Sequence, residues 1–398
     1  MSTVYDPYPI VSHQGLSPTH EIAWERIAQT VVRRILQVER GEVVLLSADP
    51  YFGGAALDAM RCEIQRAQAI ELATILHWTP QLAKLRNAQG RSPDAEIDQR
   101  ENAAMAKLFN CADVFILLMN DRRGGRTVAT SQSDQVVEQW QGGRSAHLHW
   151  FHDPALPDPA HPINLAHDRV NEAAIVELDY DGVRRVMERL IERTRHRELR
   201  LTDSSGTDLR FQVGIQYHCN YGDASRPRMQ AMSRGGDREE EVPIGSFRFI
   251  PVPGTARGTV VFPRRRDGES PALGRGFDTS AFVVAGLRFE YRDGEVVAVH
   301  TAGDQAALNR CWQAEHGDKG KLGEIILGCN PLLVPVAGSG FLPHYGFGAG
   351  VIRLILGDNT LSGGNYRSSF HRWLMWGDAT LDAPDGPIVD KGQLCIAP

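Results

Sequence analysis

Six cysteines are scattered through 398 residues, and none forms a Cys-x-x-Cys pair. Cys62, Cys111, Cys219, Cys311, Cys329 and Cys395 are too dispersed for a zinc knuckle and read as reduced thiols rather than a disulfide framework. No run approaches the roughly 20 consecutive apolar residues that a membrane span requires. The opening stretch MSTVYDPYPIVSHQG lacks a basic region followed by an apolar one, so no secretory leader is expected and the expected compartment is the cytoplasm. There is no surplus of positive charge. Lys and Arg number 43 against 49 Asp and Glu, a net charge of −6, which argues against nucleic acid as the main partner. The run Arg264–Arg266 reads as a solvated loop. Three catalytic signatures are also missing: the Gly-x-x-x-x-Gly-Lys-Ser/Thr phosphate loop, His-Glu-x-x-His, and the Gly-x-Ser-x-Gly elbow.

What is present is an ordinary globular composition, 42% hydrophobic and 23% charged, in a chain long enough for two domains. Residues 1–20 read as an irregular arm. Residues 21–37 carry Ile22, Ile27, Val31, Val32 and Ile35 on one helical face. Apolar runs at 41–49, 70–76, 114–119 and 147–151 then alternate with helical patterns at 55–69 and 97–110. That alternation predicts an α/β N-terminal domain with a mostly parallel sheet over 1–198, ending in a linking helix at 180–197. From 199 the pattern changes to hairpins, around Ser205–Gly206 and at Arg292–Glu295, with one helix at 303–315. It predicts an α+β C-terminal domain over 199–398 with a mixed or antiparallel sheet.

Chemistry-bearing residues concentrate in the glycine-rich stretch 320–380, which holds Glu324, His344, Tyr345, Arg353, Asp358, Asn359 and His371. Glu324, His344 and His371 have the composition of a facial triad on one divalent metal. The competing reading is that Glu324 and Asp358 cap turns and the histidines are satisfied locally. On a strand, His147 and His149 face the same side, a pairing suited to metal. No carboxylate is evident in register with them, so they read, with His152, as the imidazoles of a strand end. Glu239, Glu240 and Glu241 read as a solvated acidic turn, with a minor alternative in which one of them joins Arg234 or Asp237 at a substrate mouth. His218 and Cys219 are neighbours on a strand, face opposite ways, and read as structural.

Several segments, in order, resemble the thermophilic metallo-aminopeptidases (aminopeptidase T-like) and their relatives, the 2,5-dihydroxypyridine 5,6-dioxygenases. They are LRLTDSSGTDLRF, VPIGSFRFIPVPGTARGTVVF, RFEYRDGEVVAVH, LGEIILGCNP, GVIRLILGDNT and SSFHRW, and together they span about half the chain. The resemblance implies a two-domain fold with metal chemistry in the C-terminal domain and a homodimer. It also shows departures. The peptidase glutamate is Ser246 here, the second glutamate is retained as Glu324, the histidine of the next segment is Arg353, and the His-x-Asp pair is His371 with Trp373. The dioxygenases, which hold one iron, share the absence of the first glutamate and of the second-metal histidine.

Three expectations follow. In the first, Glu324 and His371 hold one metal with His344 as third ligand, and a hydroxylated heteroaromatic acid is oxidatively opened. Fe(II) is then the expected cofactor, with zinc, cobalt or manganese as alternatives. Arg353 pairs with a substrate carboxylate or enolate, Tyr345 donates a proton, Trp373 and Phe347 form an aromatic wall, and Ser246 lines the substrate site. In the second, one metal supports hydrolysis of an amide. In the third there is no metal, Arg353 replaces the cation, and Glu324 and His371 act as acid and base or the protein only binds a ligand. All three imply a small-molecule partner and neither nucleic acid nor membrane. The arm residues Tyr5, Tyr8 and Ile10 are the expected reach across a dimer interface.

Overall fold

The computed structural model describes residues 22–48, 54–76, 95–120, 140, 142–153, 156, 158, 160–263, 274–340, 342 and 344–397. The N-terminal arm and Arg264–Arg266 lie outside the described residues. The chain forms two compact units. The first comprises 1–177 and a returning segment, 222–244; the second comprises 178–221 and 245–398. The sequence pattern placed the division at 198. The helix Tyr180–Thr194, read there as a link, belongs to the second unit.

The first unit is built on β1 (Val43–Ala48), β2 (Ile70–Leu76), β3 (Val114–Asn120), β4 (Arg144–Trp150) and β7 (Glu239–Val242), in the order β2-β1-β3-β4-β7. Every pairing is parallel. Parallel strands are covered on both faces, which is why β1 and β3 are continuous apolar runs; Val44, Leu45, Leu46, Ile116 and Leu118 are fully buried. Helices at Trp24–Gln29, Gly54–Arg66, Ala95–Phe109 and Pro162–Val176 accompany the sheet. The first continues as a π-helical turn over Thr30–Ile35. Trp24 packs against Trp150 with ring centroids 4.7 Å apart.

Strand β4 differs from its neighbours. All seven of its residues are buried although they include Arg144, His147 and His149. Arg144 is satisfied by a two-pronged pair, Nη1 to Glu42 Oε1 at 2.8 Å and Nη2 to Oε2 at 2.7 Å, and Nε donates to the Leu36 carbonyl. Burial alone would raise the Glu42 carboxyl, but hydrogen bonds from Arg144, the Glu39 backbone N–H and Arg226 outweigh it and hold the group below the usual carboxylate range.

Among the described residues, the strands of the second unit form one thirteen-stranded sheet. Its strands are β5 (Glu198–Thr202), β6 (Asp208–Cys219), β8 (Ser246–Pro251), β9 (Arg257–Val261), β10 (Gly274–Arg275), β11 (Arg288–Arg292), β12 (Glu295–His300), β13 (Leu322–Gly328), β14 (Ile352–Gly357), β15 (His371–Trp376), β16 (Thr380–Ala383), β17 (Gly386–Asp390) and β18 (Gln393–Leu394). All its strand pairings are antiparallel. The two expected hairpins form. Thr202 opposes Asp208, and Arg292 opposes Glu295 across Asp293 and Gly294, whose φ values of 50° and 80° are those of a tight primed turn.

The centre of this sheet has two distinct faces. Alternation and register put Phe247, Phe249, Ile325, Leu327, Leu354, Leu374 and Trp376 on one face, all buried. The opposite face carries Ser246 and Arg248 from β8, Glu324 and Ile326 from β13, Arg353 from β14, and His371 and Trp373 from β15. Four of the six segments that resemble the aminopeptidase family thus converge on one polar surface.

Candidate functional site

Glu324 is almost fully buried on β13. Its Oε2 accepts from the Ser362 hydroxyl at 2.7 Å, and Arg248 Nε stands 3.9 Å from its Oε1. Asn359 ties the loop after β14 to this strand, donating from Nδ2 to the Gly323 carbonyl at 2.8 Å. Asp358 caps the turn that follows, accepting from Thr360 N and Oγ1. The turn-capping expectation therefore holds for Asp358.

His371 has both ring nitrogens engaged. Nδ1 donates to the Asp358 carbonyl at 2.8 Å, and Nε2 accepts from the Trp373 indole N–H at 2.7 Å. Indole nitrogen is only a donor, so this pairing fixes the tautomer and occupies the lone pair that a metal or a proton would take. Arg353, 5% exposed, lies with its guanidinium carbon 3.9 Å from the Trp373 ring centroid and 5.5 Å from that of Phe347. Its Nη1 donates to the Tyr345 carbonyl at 3.0 Å.

His344 and Tyr345 sit on a turn of unusual backbone. Residues 344, 345 and 346 have φ of 40°, 52° and 76°, and only the third is glycine. Left-handed backbone at bulky residues is strained by about 1–3 kcal/mol each and is held in place by its surroundings. Here the surroundings are aromatic: His344 stands edge-on to Phe347 at 4.9 Å, and Tyr345 edge-on to Trp373 at 5.6 Å. The turn approaches β13 closely at Gly328, where a Cβ would fall 1.9 Å from the Gly348 carbonyl oxygen.

Glu324, His371 and His344 are not brought together as metal ligands. Among the described residues, one group of His, Cys, Asp or Glu has ligand atoms all within 4.8 Å of one another, and it is His147, His149 and Glu241. The C-terminal face does not fit the metal that the family resemblance implies. One retained histidine is capped by an indole, a guanidinium stands at the next ligand position, and Ser246 at the first.

The first unit corrects the reading of the glutamates. Glu239–Glu241 is not a solvated turn but strand β7, paired in parallel with β4, with His147 opposite Glu241 and Ser145 opposite Glu239. Carboxylates are therefore in register with the histidines. His147 Nδ1 lies 3.0 Å from Glu239 Oε1, and His149 Nε2 lies 2.8 Å from Glu241 Oε2. Burial would lower the His147 pKa, but Glu239 and Glu241 outweigh it and hold it above the usual imidazole value. Glu240 points to the other face, is fully buried and pairs with Arg228; burial pushes its carboxyl up despite that partner. Arg234 and Asp237 pair with each other at 3.3 Å. His152 is separate, bonded at 2.6 Å to Asp168, which also accepts from Trp150.

Sequence reasoning passed over Ser362, which bonds Glu324, and Arg248, which stands near it on the same face. Arg248 was legible by alternation from Ser246, two residues earlier on the same face; Ser362 lies in a loop with no local signal.

Two solved structures align with nearly the whole chain. One is 2,5-dihydroxypyridine dioxygenase from Pseudomonas putida KT2440, at 17% identity over 94% of this chain and 97% of that one, with TM-score 0.60. The other is wild-type AmpT from Thermus thermophilus, at 17% identity over 94% and 99%, with TM-score 0.62. This chain has their fold. They are the two kinds of protein that its C-terminal segments resemble. No protein-family model and no curated protein sequence matches it. None of its described helices is long and apolar enough to cross a membrane.

Proposed function

We propose that this chain is an enzyme acting on a small anionic aromatic acid, held on the polar face of the C-terminal sheet with Arg353 in place of a metal ion. The observation that carries this reading is the buried guanidinium of Arg353 stacked on Trp373 at 3.9 Å. A planar cation fixed in this way matches a carboxylate or enolate through paired hydrogen bonds, and its stacking partners supply an aromatic wall. Arg248 adds a second positive charge on the same face. Glu324, oriented by Ser362, is the acid–base group. His371, with both nitrogens engaged, positions Trp373 and through it Arg353. Tyr345 and Ser246 are the hydrogen-bonding groups beside them.

Calorimetry with hydroxylated benzoates and pyridinecarboxylates tests the proposal. The wild-type chain should bind at least one of them, chelator should leave binding unchanged, and Arg353→Met should weaken it about tenfold or more. Arg353→Lys, which keeps the charge and loses the planar fork, should lie between. If no such acid binds, or if chelation removes binding and Arg353→Met does not, the reading fails.

A second reading, oxidative opening of a hydroxylated heteroaromatic ring, requires a transition metal. The observation that favours it is the His147, His149 and Glu241 group in the first unit, since the C-terminal face lacks the ligands. Oxygen uptake with dihydroxypyridines, dependent on added Fe(II), would support it over the first.

A further inference from the structure

We infer that His147, His149 and Glu241 form a binding site for one divalent first-row transition-metal ion, outside the C-terminal face and independent of the Arg353 reading proposed above; the ring-opening reading would draw on the same ion. The site follows from strand geometry. His147 and His149 alternate on one face of β4, and Leu148 between them is buried on the other. Strand β7 lies alongside in parallel and turns Glu239 and Glu241 to the histidine face. Two imidazoles and one carboxylate thereby project from two adjacent strands, and one ligand atom from each lies within 4.8 Å of the others.

Glu239 completes the arrangement without entering the triad. Its contact with His147 Nδ1, at 3.0 Å, sets the proton on that nitrogen and turns the lone pair of Nε2 away from it. His147 Nε2 is buried and has no hydrogen-bond partner. A buried ring nitrogen left in this state loses its hydration without compensation, and a metal ion supplies the missing partner. A carboxylate holding the far nitrogen of a metal-bound histidine is the usual outer support of such sites.

The donor set decides the ion. Two imidazoles and one carboxylate suit Fe(II), Co(II), Ni(II) or Zn(II); calcium and magnesium require mainly oxygen ligands. Three protein ligands from one face leave coordination positions open for water or a small anion. The two histidine side chains are 7% and 6% exposed, and the two glutamates 20% and 29%, so the carboxylate side is the route of entry. With neutral imidazoles the four side chains carry a charge of −2, which a divalent ion balances.

The test is Co(II) titration of the full chain after treatment with chelator, followed by visible absorption and equilibrium dialysis. One Co(II) per chain is expected, with the d–d bands of a nitrogen-containing site. Glu241→Gln and His149→Gln, both close in shape to the native side chains, should abolish the bands. Glu239→Gln keeps the three ligands and should weaken binding about 10–100-fold at unchanged stoichiometry. Glu324→Gln, on the C-terminal face, should leave the Co(II) stoichiometry and the bands unchanged. Far-UV circular dichroism of each variant separates loss of the site from loss of the fold. The inference is overturned if the wild-type chain binds no Co(II), if Glu241→Gln and His149→Gln bind it as the wild type does, or if Glu324→Gln abolishes binding while Glu241→Gln retains it.

Discussion

The indole N–H of Trp373 donates to Nε2 of His371 at 2.7 Å, two residues apart on one face of β15. This contact engages the ring nitrogen that the family resemblance assigns to a metal. The residue that the family resemblance expects to be a second metal ligand is instead a donor that closes the first. The same indole ring carries Arg353 on its face. One side chain therefore removes a ligand and seats a cation.

Trp373→Phe keeps a ring for Arg353 to stack on and removes the N–H. His371 Nε2 should then become reactive. Acylation of His371 by diethyl pyrocarbonate, followed peptide by peptide in a mass spectrometer, should speed up about fivefold, the equivalent of one hydrogen bond of about 1 kcal/mol. An unchanged rate would mean that Nε2 is accessible in the native chain already.

His167 makes the first unit sensitive to acid. Burial, with the charge of His152 as a lesser cause, lowers its pKa from 6.5 to about 4. An imidazole depressed in the folded state contributes stability that is fully present above its unfolded value and is lost as pH falls from about 6.5 through about 4. At about 1.4 kcal/mol per unit, the loss across that window reaches about 3 kcal/mol. Urea unfolding of the wild type and of His167→Asn at pH 6.5, 5.5 and 4.5 should give a shallower decline in the variant. Parallel declines would place the acid sensitivity elsewhere.

Arg144→Met leaves Glu42 with its remaining partner Arg226 and without the two-pronged pair inside the fold. Removing one partner from a buried pair costs about 3 kcal/mol or more, since the other charge stays buried. The variant's urea midpoint at pH 7 should fall accordingly. Replacing both residues, Glu42→Gln with Arg144→Met, should recover part of the loss. A single variant with wild-type stability would mean that Arg226 alone suffices.

Much of the first unit was legible because buried parallel strands are apolar runs, as in Val43–Ala48 and Val114–Asn120. The hairpins at 203–207 and 293–294 were legible from their turn residues. β7 was not. Three consecutive glutamates have little preference for a strand, and the partner that orders them lies about ninety residues earlier, so no local window contains the cause. The histidine pair is legible by alternation, but the carboxylate that faces it is not, because the partner strand lies outside any local window. At the C-terminal face the ligand positions were legible one by one, but not their contacts. The stack of Arg353 on Trp373 is a diagonal between neighbouring strands, fixed by the β14–β15 register and not by spacing along the chain. The contact of Trp373 with His371 was readable in principle, because residues two apart on a strand share a face.

The first sheet is finished by residues that leave the polymerisation site after the chain has already passed through 178–221. Until Glu239–Val242 has been synthesised, the side of β4 that β7 covers can only be an open edge of backbone donors and acceptors. A fragment cut at 177 would keep four strands and both histidines, but would carry that uncovered edge permanently and none of the three glutamates. Self-association of such a fragment, in place of a stable half, is the behaviour this topology dictates.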